Sequence, residues 1–130
     1  MLNPLVAGEP STVDCLEQTT PKYTATITDD AGNAIPAASL SSLALTLYVI
    51  KTDGTTGYVN SRNAQDVLNL NNVTVDANGL LTWSMQVADT TLVEALPYER
   101  HIALWEWGWA GATKFGKHEL IVTVRNLGEV

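Results

Sequence analysis

The sequence predicts an all-β fold, an antiparallel β-sandwich with an extended N-terminal arm. From residue 22 onward, runs of alternating apolar and polar residues are separated by turn-forming Gly, Asn and Asp. The two longest runs, residues 98–107 and 114–125, are rich in aromatic and β-branched residues and flank a turn with glycines, which is the pattern of a β-hairpin. Three of the four tryptophans lie between residues 98 and 125, so we expect this hairpin to form the centre of the sandwich.

Length and composition are those of one folded domain. The chain has 130 residues, of which 45% are hydrophobic and 16% charged, too apolar a balance for a disordered chain. It contains no apolar run of about 20 residues and no signal-peptide pattern at its start, so we expect synthesis in the cytoplasm and no membrane partner. A single cysteine, Cys15, excludes an internal disulfide framework. The net charge of −7 argues against a nucleic-acid partner, because backbone binding needs clustered lysine and arginine.

Residues 1–20 are predicted to form an extended arm ahead of a sandwich domain at residues 21–130. This stretch contains Pro4, Gly8 and Pro10 and shows no helical or strand periodicity. It is nevertheless more apolar than a solvated tail requires. We therefore expect the arm to pack on a neighbouring subunit through five apolar side chains: Leu2, Leu5, Val6, Val13 and Leu16.

The first half of the domain contains three predicted strands. Residues 22–28 alternate so that Tyr23, Ala25 and Ile27 share one face, and residues 43–51 place leucines on one face in the same way. The Asp- and Gly-containing segment 29–33 is typical of a tight turn. After a second turn at residues 52–57, we expect residues 58–60 to pair back as a short hairpin.

The second half contains four more strands and two short helical turns. We expect one turn at residues 64–68 and another that starts at Asp89 and ends before Pro97. Between them lie strands at residues 73–75 and 80–85, with Trp83 in the core and Val87 on the same face. With the closing hairpin this gives about seven strands, as in an immunoglobulin-like sandwich.

Two histidines on the closing hairpin are candidate metal ligands. His101 shares a face with Trp105 and Trp107, and His118 lies on the partner strand. A zinc site needs three or four ligands, and no third ligand is fixed in register with these two. We therefore expect two ordinary half-buried histidines, no metal and no cofactor.

Two glutamates on the same hairpin are candidate catalytic carboxylates. Glycoside cleavage needs two carboxyl groups at a set separation, and Glu106 and Glu119 lie on partner strands. The more ordinary arrangement pairs Glu106 with Lys114 or Lys117 across the hairpin. We therefore expect no enzymatic activity.

Trp109, predicted to lie in the turn of the hairpin, is the tryptophan whose exposure would need a partner. A protein contact is the first interpretation. The alternative, from a different functional class, is a carbohydrate-binding module in which Trp105, Trp107 or Trp109 stacks on a sugar ring.

Several segments together resemble a known family. They are residues 25–36, 45–48, 52–55 and 75–83, together with the end of the closing hairpin at residues 124–127. In their succession of strands and turns, which spans residues 22–127, they resemble small immunoglobulin-like virion proteins of tailed bacteriophages, including the sandwich domains of baseplate upper proteins. The arm at residues 1–20 is a departure from that pattern.

The resemblance implies a structural role in the virion. Capsid decoration or cementing is the favoured role, and a head–tail connector or a baseplate or fibre adaptor is the alternative. The implied partners are other virion proteins, from the capsid or the tail, and copies of the same chain. On this interpretation the arm and Trp109 lie at the subunit contacts.

Overall fold

Alternating apolar residues build a two-layer β-sandwich, which confirms the predicted fold class. The computed structural model describes residues 3–5, for the backbone only, and residues 11–127. Ten strands occur in this part of the chain: β1 Asn3–Leu5, β2 Ser11–Leu16, β3 Lys22–Ile27, β4 Leu40–Ile50, β5 Thr56–Tyr58, β6 Gln65–Asp66, β7 Val73–Val75, β8 Leu80–Ser84, β9 Tyr98–Trp109 and β10 Lys114–Arg125. Two short 3-10 turns cover Ala37–Ser39 and Val87–Asp89. No helix in the described part of the chain is long and apolar enough to span a membrane.

The two sheets have different sizes. One has four strands in the order β1-β3-β8-β7, and the other runs β2-β10-β9-β4-β5, with the short β6 also paired to β4. The orders β3-β8-β7 and β10-β9-β4 are those of strands B-E-D and G-F-C in an immunoglobulin sandwich. All seven predicted strands are present, and β1, β2 and β6 are additional.

The hairpin of β9 and β10 lies at the centre of the larger sheet, as predicted. The strands pair along their whole length, with Ile102 opposite Ile121. The inward side chains of β9 meet those of the smaller sheet, where the rings of Trp83 and Trp105 pack edge to face with centroids 5.4 Å apart. Both rings are fully buried, so the hairpin and the opposite sheet share one hydrophobic core.

A glycine makes room for the third tryptophan of the core. Gly116 lies opposite Trp107 in the β9–β10 pair. A Cβ atom at position 116 would meet the Trp107 ring at 2.5–2.7 Å, closer than van der Waals contact allows. Only glycine lets the indole lie flat against the neighbouring strand at this position.

The N-terminal stretch predicted as an arm contains two edge strands. β1 pairs in parallel with β3, and β2 pairs in parallel with β10 along all six of its residues. Residues 3–5 and 11–16 are therefore extended but are integrated into the two sheets of their own chain.

Three local predictions were wrong. The helical turn expected at residues 64–68 is replaced by β6, and Ala64 has φ of 48°, which no α-helix accommodates. The second short turn ends at Asp89 instead of beginning there, and Val87 is exposed instead of facing the core. In both places the chain follows a buried arginine–aspartate pair, described below, which local sequence patterns do not reveal.

Candidate interaction surface

The larger sheet has a side that points away from the core, here called the outer face. Because side chains alternate along a strand, every second residue of β4, β9 and β10 lies on it. β5 adds Tyr58, which lies opposite the outward-pointing Tyr48. The outer face comprises Ala44, Thr46, Tyr48 and Ile50 of β4, Tyr58 of β5, Tyr98, Arg100, Ile102, Leu104 and Glu106 of β9, and Phe115, Lys117, Glu119, Ile121, Thr123 and Arg125 of β10.

A row of apolar side chains crosses the middle of the outer face. Ile121 lies opposite Ile102, Ile102 opposite Tyr48 and Tyr48 opposite Tyr58, so four strands contribute to one continuous row. Beside it, Ile50 is 57% exposed, and Tyr58 in the row itself is 49% exposed. The row and Ile50 are therefore candidates for an interaction site, since large contiguous apolar patches on folded proteins are typical of such sites.

A groove of about 600 Å³ opens at one end of the outer face. Glu94 and Leu96 of the segment before β9 form one wall, and the floor includes Ile50, Tyr98, Arg100 and Ile102. The buried Glu99 holds this segment in place, because its carboxylate accepts hydrogen bonds from the backbone N–H groups of Val93 at 2.6 Å and Glu94 at 2.8 Å. The groove therefore has one wall that is fixed from inside the protein.

Charged residues surround the apolar row. Lys117 forms an ion pair with Glu106 at 3.3 Å, which confirms one of the two predicted cross-strand pairs. The Arg125 guanidinium lies over the Tyr98 ring, 5.6 Å from its centroid. Within the described residues, Arg100 and Glu119 have neither a hydrogen bond nor an ion pair through their charged groups. In the described part of the chain, two ions of opposite sign on this face therefore have no partner.

Arg100 and Glu119 lie on opposite sides of the apolar row. Arg100 precedes Ile102 by two residues on β9, and Glu119 precedes Ile121 by two on β10, which runs in the opposite direction. Burial, together with the nearby Glu119 carboxylate, raises the pKa of Tyr48. The Glu119 charge thus acts directly on the row.

The residues predicted as contacts fall in different places. Leu16 is 42% exposed and lies opposite Arg125, which extends the outer face onto β2. Val13 and Trp109 are partly buried and pack against the core, and Trp109 ends β9 instead of lying in the turn. Leu5 belongs to β1 through its backbone, while Leu2 and Val6 lie outside the described residues. The role of these six residues as contacts stays a prediction.

The two histidines are fully buried, not half-buried as expected. They lie four residues apart along the hairpin, with His118 opposite Trp105 and His101 opposite Val122. His118 Nε2 lies 2.8 Å from the Ser11 hydroxyl and so ties β2 to the core. Each histidine therefore has a separate structural environment.

His101 belongs to a buried polar cluster formed by Arg62, Asp89, Glu99 and His101. Its Nε2 lies 2.7 Å from Glu99 Oε1, and its Nδ1 lies 3.0 Å from the Asp89 carbonyl oxygen. The Asp89 carboxylate accepts hydrogen bonds from Arg62 Nε at 2.6 Å and Nη2 at 3.1 Å. Burial of these charges is tolerated because each group has a partner in good geometry.

The same arginine organises the loop between β5 and β7. Arg62 Nη1 donates to Gln65 Oε1 at 2.7 Å, and both Nη atoms approach the Asn71 carbonyl oxygen at 3.3 Å. Six residues of this loop have positive φ: Asn60, Ser61, Ala64, Asn69, Asn71 and Asn72. Sequence reasoning missed the cluster because its members come from three separate segments, and the only local signal is the run of asparagines, which tolerate this backbone region.

Comparison with known proteins gives likenesses in structure but none in sequence. No protein-family model matches the chain, and the curated proteins give no significant sequence match. Among solved structures, the chain is similar to the N-terminal domain of phage TP901-1 ORF48, with 13% identity, coverage of 94% of this chain and 98% of that one, and a TM-score of 0.37. At that TM-score the likeness transfers no residue role, and the outer face has to be interpreted from its own chemistry.

Proposed function

We propose that this protein is a non-enzymatic structural component of a tailed-phage virion and that it acts by binding other virion proteins through the outer face. The observation that carries the proposal is the apolar row from Ile121 to Tyr58 at the surface of a rigid sheet. Apolar surface on a hydrogen-bonded sheet favours a preformed protein contact, because docking orders little of the chain.

Capsid decoration is the favoured role within this class. A single domain with a flat apolar face suits attachment to a repeated lattice, where many weak contacts add up. The resemblance to small virion proteins and the acidic net charge of −7 support a position on the outside of the particle, away from the packaged genome. A head–tail connector and a baseplate or fibre adaptor are the alternatives within the virion.

The N-terminal stretch adds a second contact in this proposal. Leu16 extends the outer face at its β2 edge, so its side chain is available to a neighbouring subunit. Deletion of residues 1–18 is a poor test, because it would also remove β1 and β2 and uncover the edges of β3 and β10. Leu16→Glu tests the contact without this damage. Leu70→Glu, at a leucine that is about as exposed but lies off this face, is the matched control.

The experiment for the proposed function is quantitative mass spectrometry of particles of the parent phage, purified on a density gradient. We expect the protein to be present in a fixed ratio to the major capsid protein and to be lost from particles that carry Ile102→Asp and Ile121→Asp. Its absence from wild-type particles would overturn the proposal. A ratio typical of one ring per particle would assign the connector or adaptor role in place of decoration.

A carbohydrate-binding module is the second candidate, because aromatic side chains are exposed on the outer face. Tyr58, Tyr98 and Phe115 are each about half exposed or more, and the groove beside Tyr98 combines apolar and polar walls. A glycan array with the isolated protein separates the two candidates. Binding that is lost in Tyr98→Ala and retained in Phe115→Ala would place a sugar in the groove and displace the virion contact there.

A further inference from the structure

We infer that the outer face binds a second copy of this chain, in a face-to-face dimer with twofold symmetry and two equivalent Arg100–Glu119 ion pairs. This inference names one partner within the structural role proposed above. It starts from two features on the same face: the continuous apolar row and the two ions that have no partner within the described residues.

The apolar row has the position that a twofold axis requires. Ile121, Ile102 and Tyr48 occupy one line across β10, β9 and β4, with the row that contains Arg100 on one side of it and the row that contains Glu119 on the other. An axis that runs along this line places the row of one copy against the same row of the other. The contact is then isologous, meaning that each copy uses the same surface, and it closes without forming a filament.

Such an axis also exchanges the rows on either side of the apolar row. The row that contains Arg100 and Thr123 then faces the row that contains Leu104 and Glu119 of the partner subunit. Arg100 then faces the partner subunit's Leu104 and lies one strand spacing, about 4.8 Å, to the side of the partner subunit's Glu119. The long arginine side chain can reach this diagonal carboxylate, and symmetry produces the pair twice. The face is therefore complementary to itself in charge as well as in apolarity, which is what selects a correct partner.

The area of the face is sufficient for a dimer of moderate strength. About ten residues each of β10, β9 and β4, with the three residues of β5 and the six of β2, cover about 640 Å² per copy at a strand spacing of about 4.8 Å and a rise of about 3.4 Å per residue. Stable interfaces bury about 600–1,000 Å² per partner. The existing Lys117–Glu106 pair and the Arg125–Tyr98 contact lie toward the two ends of the strands and need no rearrangement on docking.

Sedimentation velocity of the purified full-length protein tests the dimer by charge exchange. We expect the wild-type protein to dimerise in the micromolar range, Arg100→Glu and Glu119→Arg each to raise the dissociation constant at least tenfold, and the double variant Arg100→Glu/Glu119→Arg to restore most of the affinity. Lys22→Glu, an exposed charge reversal on the opposite sheet, is the matched control and should leave the dimer unchanged.

Three results would overturn the inference: a wild-type protein that stays monomeric up to about 1 mM, a dimer insensitive to both single reversals, or a double variant as weak as the singles. Far-ultraviolet circular dichroism and urea unfolding verify that each variant is folded. Because the measurement uses no phage particles, its failure leaves particle association intact. Conversely, loss of the protein from particles would leave a measured dimer standing.

Discussion

The buried polar cluster and the outer face deal with charge in opposite ways. In the cluster, Arg62 and Asp89 are each 1% exposed and every charged group has a partner within hydrogen-bond distance. On the outer face, Arg100 and Glu119 are accessible to solvent or a partner, have no ion-pair partner in the described part of the chain, and lie beside apolar side chains. The difference indicates that the cluster determines the path of this chain, while the unpaired ions of the outer face are what the proposed contact with another chain would use.

The contrast follows from the cost of leaving a charge unpaired. A buried ion without a partner is strongly destabilising, so the interior has to satisfy every group. A surface ion costs little when it is unpaired, because water solvates it. Unpaired surface ions therefore say little alone, but here they flank apolar area that water solvates poorly. This comparison is tested by matched substitutions, one at a buried position and one at an exposed position.

The largest effect is expected from breaking the buried pair. Arg62→Met leaves the Asp89 carboxylate buried with fewer donors and removes the bonds that hold residues 60–72, so we expect a loss of about 3–5 kcal/mol in the free energy of unfolding. Urea denaturation measures it. Lys22→Met, an exposed basic residue on the other sheet, is the control and should change stability by less than about 0.5 kcal/mol. Equal effects of the two substitutions would contradict the role of the cluster.

The next effect compares two glycines of the same hairpin. Gly116→Ala forces a methyl group against the buried Trp107 ring, and we expect a cost of about 1–3 kcal/mol. Gly108→Ala meets the hydroxyls of Ser41 and Ser42 and the edge of Phe115 on the outer side, at 2.9–3.2 Å. These exposed side chains can rotate away, so the cost at position 108 should be clearly smaller. A larger cost at position 108 would mean that the outer side chains are as constrained as the core.

A third, more local effect should follow from replacing the buried Glu99 carboxylate with a neutral amide. Glu99→Gln replaces an acceptor of two backbone hydrogen bonds with an amide that has only one acceptor oxygen, so the wall of the groove should open more often. We expect amide hydrogen exchange at Val93 and Glu94 to accelerate about tenfold or more. Glu119→Gln, the corresponding substitution on the outer face, should leave both amides unchanged. Acceleration in both variants would show that the segment is not held by Glu99.

The smallest effect concerns the single thiol. Burial, and the nearby Asp14 carboxylate, raise the pKa of Cys15. A raised pKa means that less thiolate is present at a given pH, so iodoacetamide should react more slowly with the folded protein than with the urea-unfolded chain at pH 8. Equal rates in the two states would contradict this prediction, because they would mean that the Cys15 thiol is fully exposed to solvent in the folded protein.

The sequence was sufficient to predict seven of the ten described strands but not the buried cluster. Alternation in residues 22–28 and 43–51, and the long closing hairpin, predicted β3, β4, β9 and β10 because hydrophobic period and strand geometry are directly linked. The loop at residues 60–72 was predicted wrongly because its backbone is fixed by Arg62, whose partner Asp89 is 27 residues away. β2 was missed as a strand because its partner is β10, at the other end of the chain.

The candidate interaction surface was also predicted only in part, because it too depends on contacts between residues that are distant in sequence. Leu16 was identified from its apolarity in a polar stretch, and it does lie at the edge of the outer face. The central row could not be found in this way, because Tyr48, Tyr58, Ile102 and Ile121 are distributed over four strands and only the register aligns them. Alternation along a strand predicts which side chains point away from the core, but it does not predict which of them lie side by side on neighbouring strands.

The most direct test of the outer face is hydroxyl-radical footprinting of the protein, dilute and in its assembled form, read by mass spectrometry. The account predicts that oxidation of Tyr58 and Tyr98 falls on assembly, while oxidation of Leu70 and Val87, which are about as exposed but lie off this face, stays constant. Protection of Leu70 and Val87 with no change at the two tyrosines would contradict it and would move the contact to the loops.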